Sequence, residues 1–255
     1  MFNQRLIHRV FCFFVHFVKS KHRHGVHSPL VFEFMDKGLK KCVSPHSHRI
    51  EAYRKENLNS ALSWISQDFG TGNSGKKFLK SAARYSSSST KKGEFLHAWV
   101  RHFKPKNIME LGTNLGISAA YLSTDGNHIT TVEGDGFLSE RASAFFQSFP
   151  LNITVVNDSF ENFLINDVGQ STWDLVVIDG NHTGEALRRY FEIVKLHLSP
   201  DGWVLLDDIH WSKEMTQAWQ EIISGNDCLL TLDFYYYGAV KMDGRMEKEH
   251  FDLRF

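Results

Sequence analysis

From about residue 107 onward the chain alternates between two hydrophobic patterns. Short apolar runs, "NIMEL", "HITTVEG", "NITVVND", "WDLVVIDG" and "GWVLLDD", predict strands. Between them, "GFLSERASAFFQSF", "FENFLIN", "TGEALRRYFEIVKLHL" and "SKEMTQAWQEII" repeat their apolar residues at helical spacing. Strands alternating with helices imply parallel βαβ units with right-handed crossovers. "DCLLTLDF" and "YGAVKMD" follow with no helix between them, so they must pair antiparallel, as a hairpin at one sheet edge. The pattern predicts an α/β architecture: a doubly wound sheet of seven strands with the last one reversed.

The first part of the chain reads differently. "LIHRVFCFFVHFV" and "PLVFEFMDKGLKKCV" place apolar residues at helical spacing, and residues 1–90 show no strand alternation. "NLNSALSWISQDFGTGNSGKKF" predicts a helix and then a Gly/Ser/Asn loop. The serine run in "RYSSSSTKKGEF" (Arg84–Phe95) marks a break, followed by a helix entry. Residues 1–90 therefore read as a helical cap or lid, and residues 91–255 as the main domain. "VFCFFVHFV" (Val10–Val18) follows Arg5 and Arg9 in the manner of a signal peptide. His16 interrupts it, "KSKHRHG" follows, and no small-x-small cleavage site appears. It is too short to span a bilayer. An amphipathic or buried helix is the first reading, and membrane-surface contact aided by the flanking bases is the alternative.

Charge and cysteine content narrow the function classes. Lys plus Arg and Asp plus Glu are 29 each, so the net charge is zero, which argues against a nucleic-acid partner. The three cysteines, Cys12, Cys42 and Cys228, are scattered and form no C-x-x-C, which argues against a disulfide framework and for a reducing, cytoplasmic setting.

In an open α/β sheet, ligands sit beyond the carboxyl ends of the strands. The first such end is "ELGTNLG". Gly112 and Gly116 permit a tight strand-to-helix turn, but the third glycine of a dinucleotide fingerprint is missing. Glu110 would repel a pyrophosphate and attract a cationic ligand such as S-adenosylmethionine; a plain strand–turn–helix junction is the alternative. Glu133 ends the next strand, where a carboxylate can accept ribose hydroxyls or else serve a helix N-terminus, and Asp135 reads as a helix cap. Asp158 and Ser159 end the third, where a carboxylate can accept from an adenine amino group or either residue can cap a helix.

Two further ends belong together. Asp179 closes "VVIDGNH", with His182 three residues on, and Asp207 and Asp208 close the adjacent "VLLDDIHW". Neighbouring strand ends lie about 4.8 Å apart, so these three carboxylates predict a divalent metal site, Mg²⁺ first, with Mn²⁺ or Ca²⁺ as options. Such an ion would lower a substrate hydroxyl's pKa, and His182 would take the proton. Capping of the next helix by Asp207 or Asp208 is the alternative.

Together these residues resemble the class I S-adenosylmethionine-dependent methyltransferases, a Rossmann-like fold. The likeness is greatest to the O-methyltransferases of the catechol and caffeoyl-CoA type and their bacterial relatives. It covers about residues 85–243 and rests on "TKKGEFLHAWVRHFKPKNIMELGTNLGIS" and "VIDGNHTGEALRRYFEIVKLHLSPDGWVLLDD". The resemblance implies that Glu110, Gly112 and Gly116 line the methionine side of the cofactor, that Glu133 binds ribose and that Asp158 faces adenine. It implies a metal held by Asp179, Asp207 and Asp208, with Asp208 where relatives commonly carry Asn. It also raises a homodimer as a candidate assembly.

The function expected is divalent-metal-assisted O-methylation of a small-molecule acceptor. Alternatives are a metal-independent N- or protein methyltransferase, and a non-catalytic scaffold of the same fold. "KHRHGVHSPLVFEF" (Lys21–Phe34) reads as a basic turn and core helix, or as a substrate lid. "FYYYG" (Phe234–Gly238) reads as a pocket wall or as packing.

Overall fold

A computed structural model of the chain describes residues 2–40, 43–66, 75–85, 89–148, 151–242 and 247–254. The elements in chain order begin with α1 (Phe2–Lys19), α2 (Pro29–Glu33), α3 (Ser47–Leu58), β1 (Ser63–Ser66), β2 (Gly75–Phe78), α4 (Leu79–Tyr85) and α5 (Thr90–Phe103). They continue with β3 (Asn107–Leu111), α6 (Ile117–Leu122), β4 (His128–Val132), α7 (Gly136–Gln147), β5 (Ile153–Val156) and α8 (Phe160–Asn166). The last are β6 (Trp173–Ile178), α9 (Gly184–Val194), β7 (Leu198–Asp207), α10 (Lys213–Ser224), β8 (Leu230–Asp233), β9 (Tyr237–Lys241) and β10 (Glu249–Asp252). These form two compact units, one of residues 38–167 and one of residues 1–37 with 168–255.

In the unit of residues 38–167, β3 pairs with β4 and β4 with β5, all parallel. Ile108, Met109 and Leu111 are fully buried, as a strand covered on both faces requires. The helices after β4 and β5 start on side-chain caps. Asp135 Oδ1 accepts from the amides of Phe137 and Leu138 at α7, and Ser159 Oγ accepts from Asn162 N at α8. This unit also holds a departure from the sequence reading. Residues 1–90 contain a two-stranded antiparallel sheet, β1 with β2, registered Ser63↔Phe78 to Ser66↔Gly75. "SWIS" and "GKKF" are too short and too polar to show strand alternation. Residues 67–74, most of the expected Gly/Ser/Asn loop, lie outside the described residues, as do residues 86–88 of the serine run.

In the other unit, β6 and β7 pair parallel, and β9 runs antiparallel to both β7 and β8. All seven expected strands are present, and β9 is the reversed one. An eighth, β10, pairs parallel with β8 from Glu249↔Leu230 to Asp252↔Asp233, so β8 is not an edge. The α9 residues Ala186, Leu187, Tyr190, Phe191 and Val194 are buried along one stripe. Gly184 admits the α10 backbone: a Cβ there would lie 2.5 Å from Glu214 O. Helix α1 docks through polar groups. His8 Nε2 shares a 3.0 Å hydrogen bond with Thr216 Oγ1, and His16 Nε2 donates to Asp233 O at 3.0 Å. No described helix is long and apolar enough to cross a membrane.

Candidate active site

The glycine turn lies in the unit of residues 38–167. Gly112 and Gly116 have φ of 114° and 77°, values that disfavour side chains. A Cβ at Gly116 would also come within 2.4 Å of the Phe146 ring. Four of the turn's amides are already engaged. Gly112 N and Thr113 N donate to Val132 O, Gly116 N donates to Thr113 O, and Asn114 N donates to Glu133 Oε2 at 2.8 Å. A phosphate cradle needs such amides open; here they are spent inside the protein, one of them on a carboxylate. Glu133 Oε1 also accepts from Asp135 N at 2.9 Å. Burial is the first cause that pushes the Glu133 carboxyl upward, and the two amides oppose it. Two accepted bonds leave a carboxylate further lone pairs for hydroxyl donors.

Glu110 ends β3 and is fully buried. Thr131, its register partner on β4, donates to Oε2 at 2.6 Å. Oε1 has no hydrogen-bond partner among the described residues. Burial pushes this carboxyl up to about 7, against the opposing hydroxyls of Ser118 and Thr131. The sequence suggests a standing negative charge here; the structure instead holds a buried group that titrates near neutrality, with one oxygen unpaired. Asp158 Oδ1 accepts from Ser159 N at 2.7 Å and from Asn162 Nδ2 at 3.2 Å, at the α8 N-terminus. Ser159 is therefore the helix cap, and Asp158 is half-buried beside it.

The other strand ends lie in the unit of residues 1–37 and 168–255. Asp179, His182 and Asp207 offer ligand atoms all within 4.8 Å of one another. Asp179 Oδ1 and His182 Nε2 are 3.7 Å apart. Asp207 is buried, the other two half-buried. Asp208, which the sequence reading placed beside them, is not among these three. Successive residues leave a strand on opposite faces, and Asp208 is turned further by a φ of 51°. Its amide donates to Tyr236 O at 2.7 Å. Neither Asp207 nor Asp208 caps α10; Ser212 does, accepting from Met215 N.

Asp208 instead lines a shallow surface cleft with Arg9, His210, Trp211, Tyr235 and Tyr236. The Arg9 guanidinium lies 4.5 Å from the Trp211 ring centre, and the Trp211 and His182 rings are 6.4 Å apart. His210 Nε2 is 2.9 Å from Asp233 Oδ2. Burial alone would lower the imidazole, but Asp233, with Cys12 adding to it, overrides this and raises it to about 9. Asp233 also accepts from Trp219 Nε1 and Tyr235 N. The sequence offered Tyr235 and Tyr236 as a wall, but not Arg9, His210 or Trp211; a His and a Trp just past the strand-ending acidic pair were the available signal.

Residues 109–209 match the family model described as a methyltransferase domain. An O-methyltransferase from Bacillus cereus, solved with S-adenosylhomocysteine, superposes with a TM-score of 0.56 at 15% identity, covering 82% of this chain and 94% of that one. TomG, an O-methyltransferase of Streptomyces achromogenes solved with S-adenosylmethionine, gives 0.57 at 14% identity, over 84% and 96%. An uncharacterized protein of Sinorhizobium fredii, y4gI, is 29% identical over 149 residues, 48% of this chain; the chain spans only 16% of that relative's length. The fold is thus that of the class I S-adenosylmethionine-dependent O-methyltransferases, which bears out the family resemblance and the α/β architecture.

Proposed function

We propose that the chain transfers the methyl group of S-adenosylmethionine to an oxygen of a small-molecule acceptor. The observation that carries this reading is the glycine turn: four of its amides are spent internally and its flanking charges are carboxylates. That chemistry rejects a pyrophosphate and suits a cofactor with an ammonium, a sulfonium and ribose hydroxyls. In this reading the unpaired, buried carboxyl of Glu110 attracts the ammonium through its charge, Glu133 accepts the ribose hydroxyls, and Asp158 accepts from the adenine amino group. Gly112 and Gly116 keep the turn free of side chains.

The acceptor side rests on the second group of residues. Asp179, His182 and Asp207 supply two carboxylates and an imidazole, a mixed set that suits Mn²⁺ better than the all-oxygen preferences of Mg²⁺ or Ca²⁺. An ion held there would lower the pKa of a bound acceptor hydroxyl. With an ion bound, His182 is a ligand; with none, Asp179 orients His182, which then takes the acceptor's proton. The two roles exclude each other, so turnover with chelator or with Mn²⁺, compared between the native chain and His182→Ala, separates them. The aromatic walls of the neighbouring cleft suit a flat, hydroxylated acceptor, and Arg9 and charged His210 suit an anionic substituent on it. Calorimetric titration of S-adenosylhomocysteine into the native chain and Glu133→Ala tests the reading as a whole.

A further inference from the structure

Helix α1 is amphipathic the wrong way round. The side it turns to the protein carries His8, Cys12, His16 and Ser20, and Cys12, His16 and Ser20 are buried. At 100° per residue, the opposite half carries Leu6, Ile7, Val10, Phe11, Phe13, Phe14, Phe17 and Val18. All of these are exposed, from 44% at Phe13 to 83% at Val18. At roughly 100 Å² apiece they exceed the few hundred Å² of apolar patch usual on a soluble monomer. A helix normally buries its apolar stripe in the core, so this one is built for an apolar phase outside the chain.

Charge selects the occupant. The segment from Met1 to Phe32 carries Arg5, Arg9, Lys19, Lys21 and Arg23 and not one Asp or Glu, in a chain whose net charge is zero. Arg5, Lys19 and Lys21 are exposed. On the helix Arg5, Arg9 and Lys19 lie on the side away from the apolar half, the arrangement of bases on the polar face that marks interfacial helices. An anionic lipid surface offers both an acyl layer for the apolar half and phosphates for the cations, each worth about 1 kcal/mol near the surface. The helix is about 27 Å long and flanked by bases, which suits lying in the interface and not crossing it.

We propose that α1 is a membrane-surface anchor that lies in the headgroup region of an anionic bilayer, apolar half down. Arg9 of the same helix lines the cleft with Asp208 and His210, so docking would hold that cleft at the lipid surface. The test is vesicle co-sedimentation of the full chain, with size and helicity measured alongside. Vesicles of phosphatidylcholine alone are compared with vesicles that are about one-third phosphatidylglycerol. Binding should be at least about tenfold tighter to the anionic vesicles and should weaken with salt. The double variant Phe11→Ser, Phe14→Ser should lose about tenfold or more at unchanged helicity, and Lys19→Gln with Lys21→Gln should lose the preference for anionic lipid. No binding to anionic vesicles overturns the proposal. So does binding indifferent to all four substitutions, or a dimer that ignores vesicles and dissociates in the phenylalanine variant.

Discussion

The Glu110→Gln substitution probes the buried carboxyl at the heart of the cofactor reading. In the folded chain this group titrates at about 7, against 4.5 when unburied, with burial as the cause. A folded value above the unfolded one favours the protonated form. The ligand-free chain is therefore most stable below pH 4.5 on this account, and it loses stability as pH rises toward 7. A shift of that size corresponds to about 3 kcal/mol once the group is fully ionised. Glutamine keeps the shape and cannot ionise. It costs a constant of about 1–3 kcal/mol for a buried amide group facing the place where Oε1 has no partner. Urea melts of the ligand-free protein between about pH 4.5 and 7.5 should then show a slope in the native chain that the variant largely lacks, with Glu133 contributing what remains. Equal slopes in the two proteins would refute the reasoning. They would mean that water or a counter-charge reaches Glu110. The same logic predicts that an ammonium-bearing ligand offsets the ionised charge, so binding of S-adenosylhomocysteine strengthens as pH rises through 7 in the native chain only.

A second pH effect belongs to His210 and should separate cleanly from the first. Its folded value of about 9 lies above 6.5, so its contribution is full below 6.5 and is lost as pH rises through 9; Asp233→Asn should abolish that dependence, read as Tm against pH, while lowering stability overall. Gly116→Ala should destabilise by about 1–3 kcal/mol in denaturant melts, because φ is 77° and the new Cβ would meet Phe146 at 2.4 Å. Asp207→Asn should weaken Mn²⁺ binding by about tenfold or more, measured by the paramagnetic signal of free Mn²⁺, whereas Asp208→Asn should leave it nearly unchanged.

What the sequence showed, and what it hid, follows from burial. Val176–Ile178 and Val204–Leu206 are covered on both faces, so they appear as unbroken apolar runs, and the doubly wound order can be read from them. Strand β10, "EHFD", has one buried residue in four, and β1 and β2 are as short, so none of the three carries a period long enough to see. The helix of α1 was legible, but its orientation was not: periodicity places the apolar half without saying which half meets the protein. At the Asp179, His182 and Asp207 group, adjacency of Asp207 and Asp208 suggested a shared site. The twofold alternation of a strand argues against it, and the structure brings His182 to Asp207 in place of Asp208. Arg9 comes to the cleft from a segment almost 200 residues away, a pairing that no local pattern encodes.

The central claim is that the glycine turn and its carboxylates hold S-adenosylmethionine, and calorimetric titration of S-adenosylhomocysteine tests it most directly. The native chain should bind at micromolar concentration, and Glu133→Ala, which removes both the proposed ribose acceptor and the partner of Asn114 N, should bind at least about tenfold more weakly at unchanged helicity. Running the titration with Mn²⁺ and again with chelator shows whether the Asp179, His182 and Asp207 group reports to the cofactor. Binding that survives Glu133→Ala intact, or no binding by the native chain in either buffer, would contradict the account.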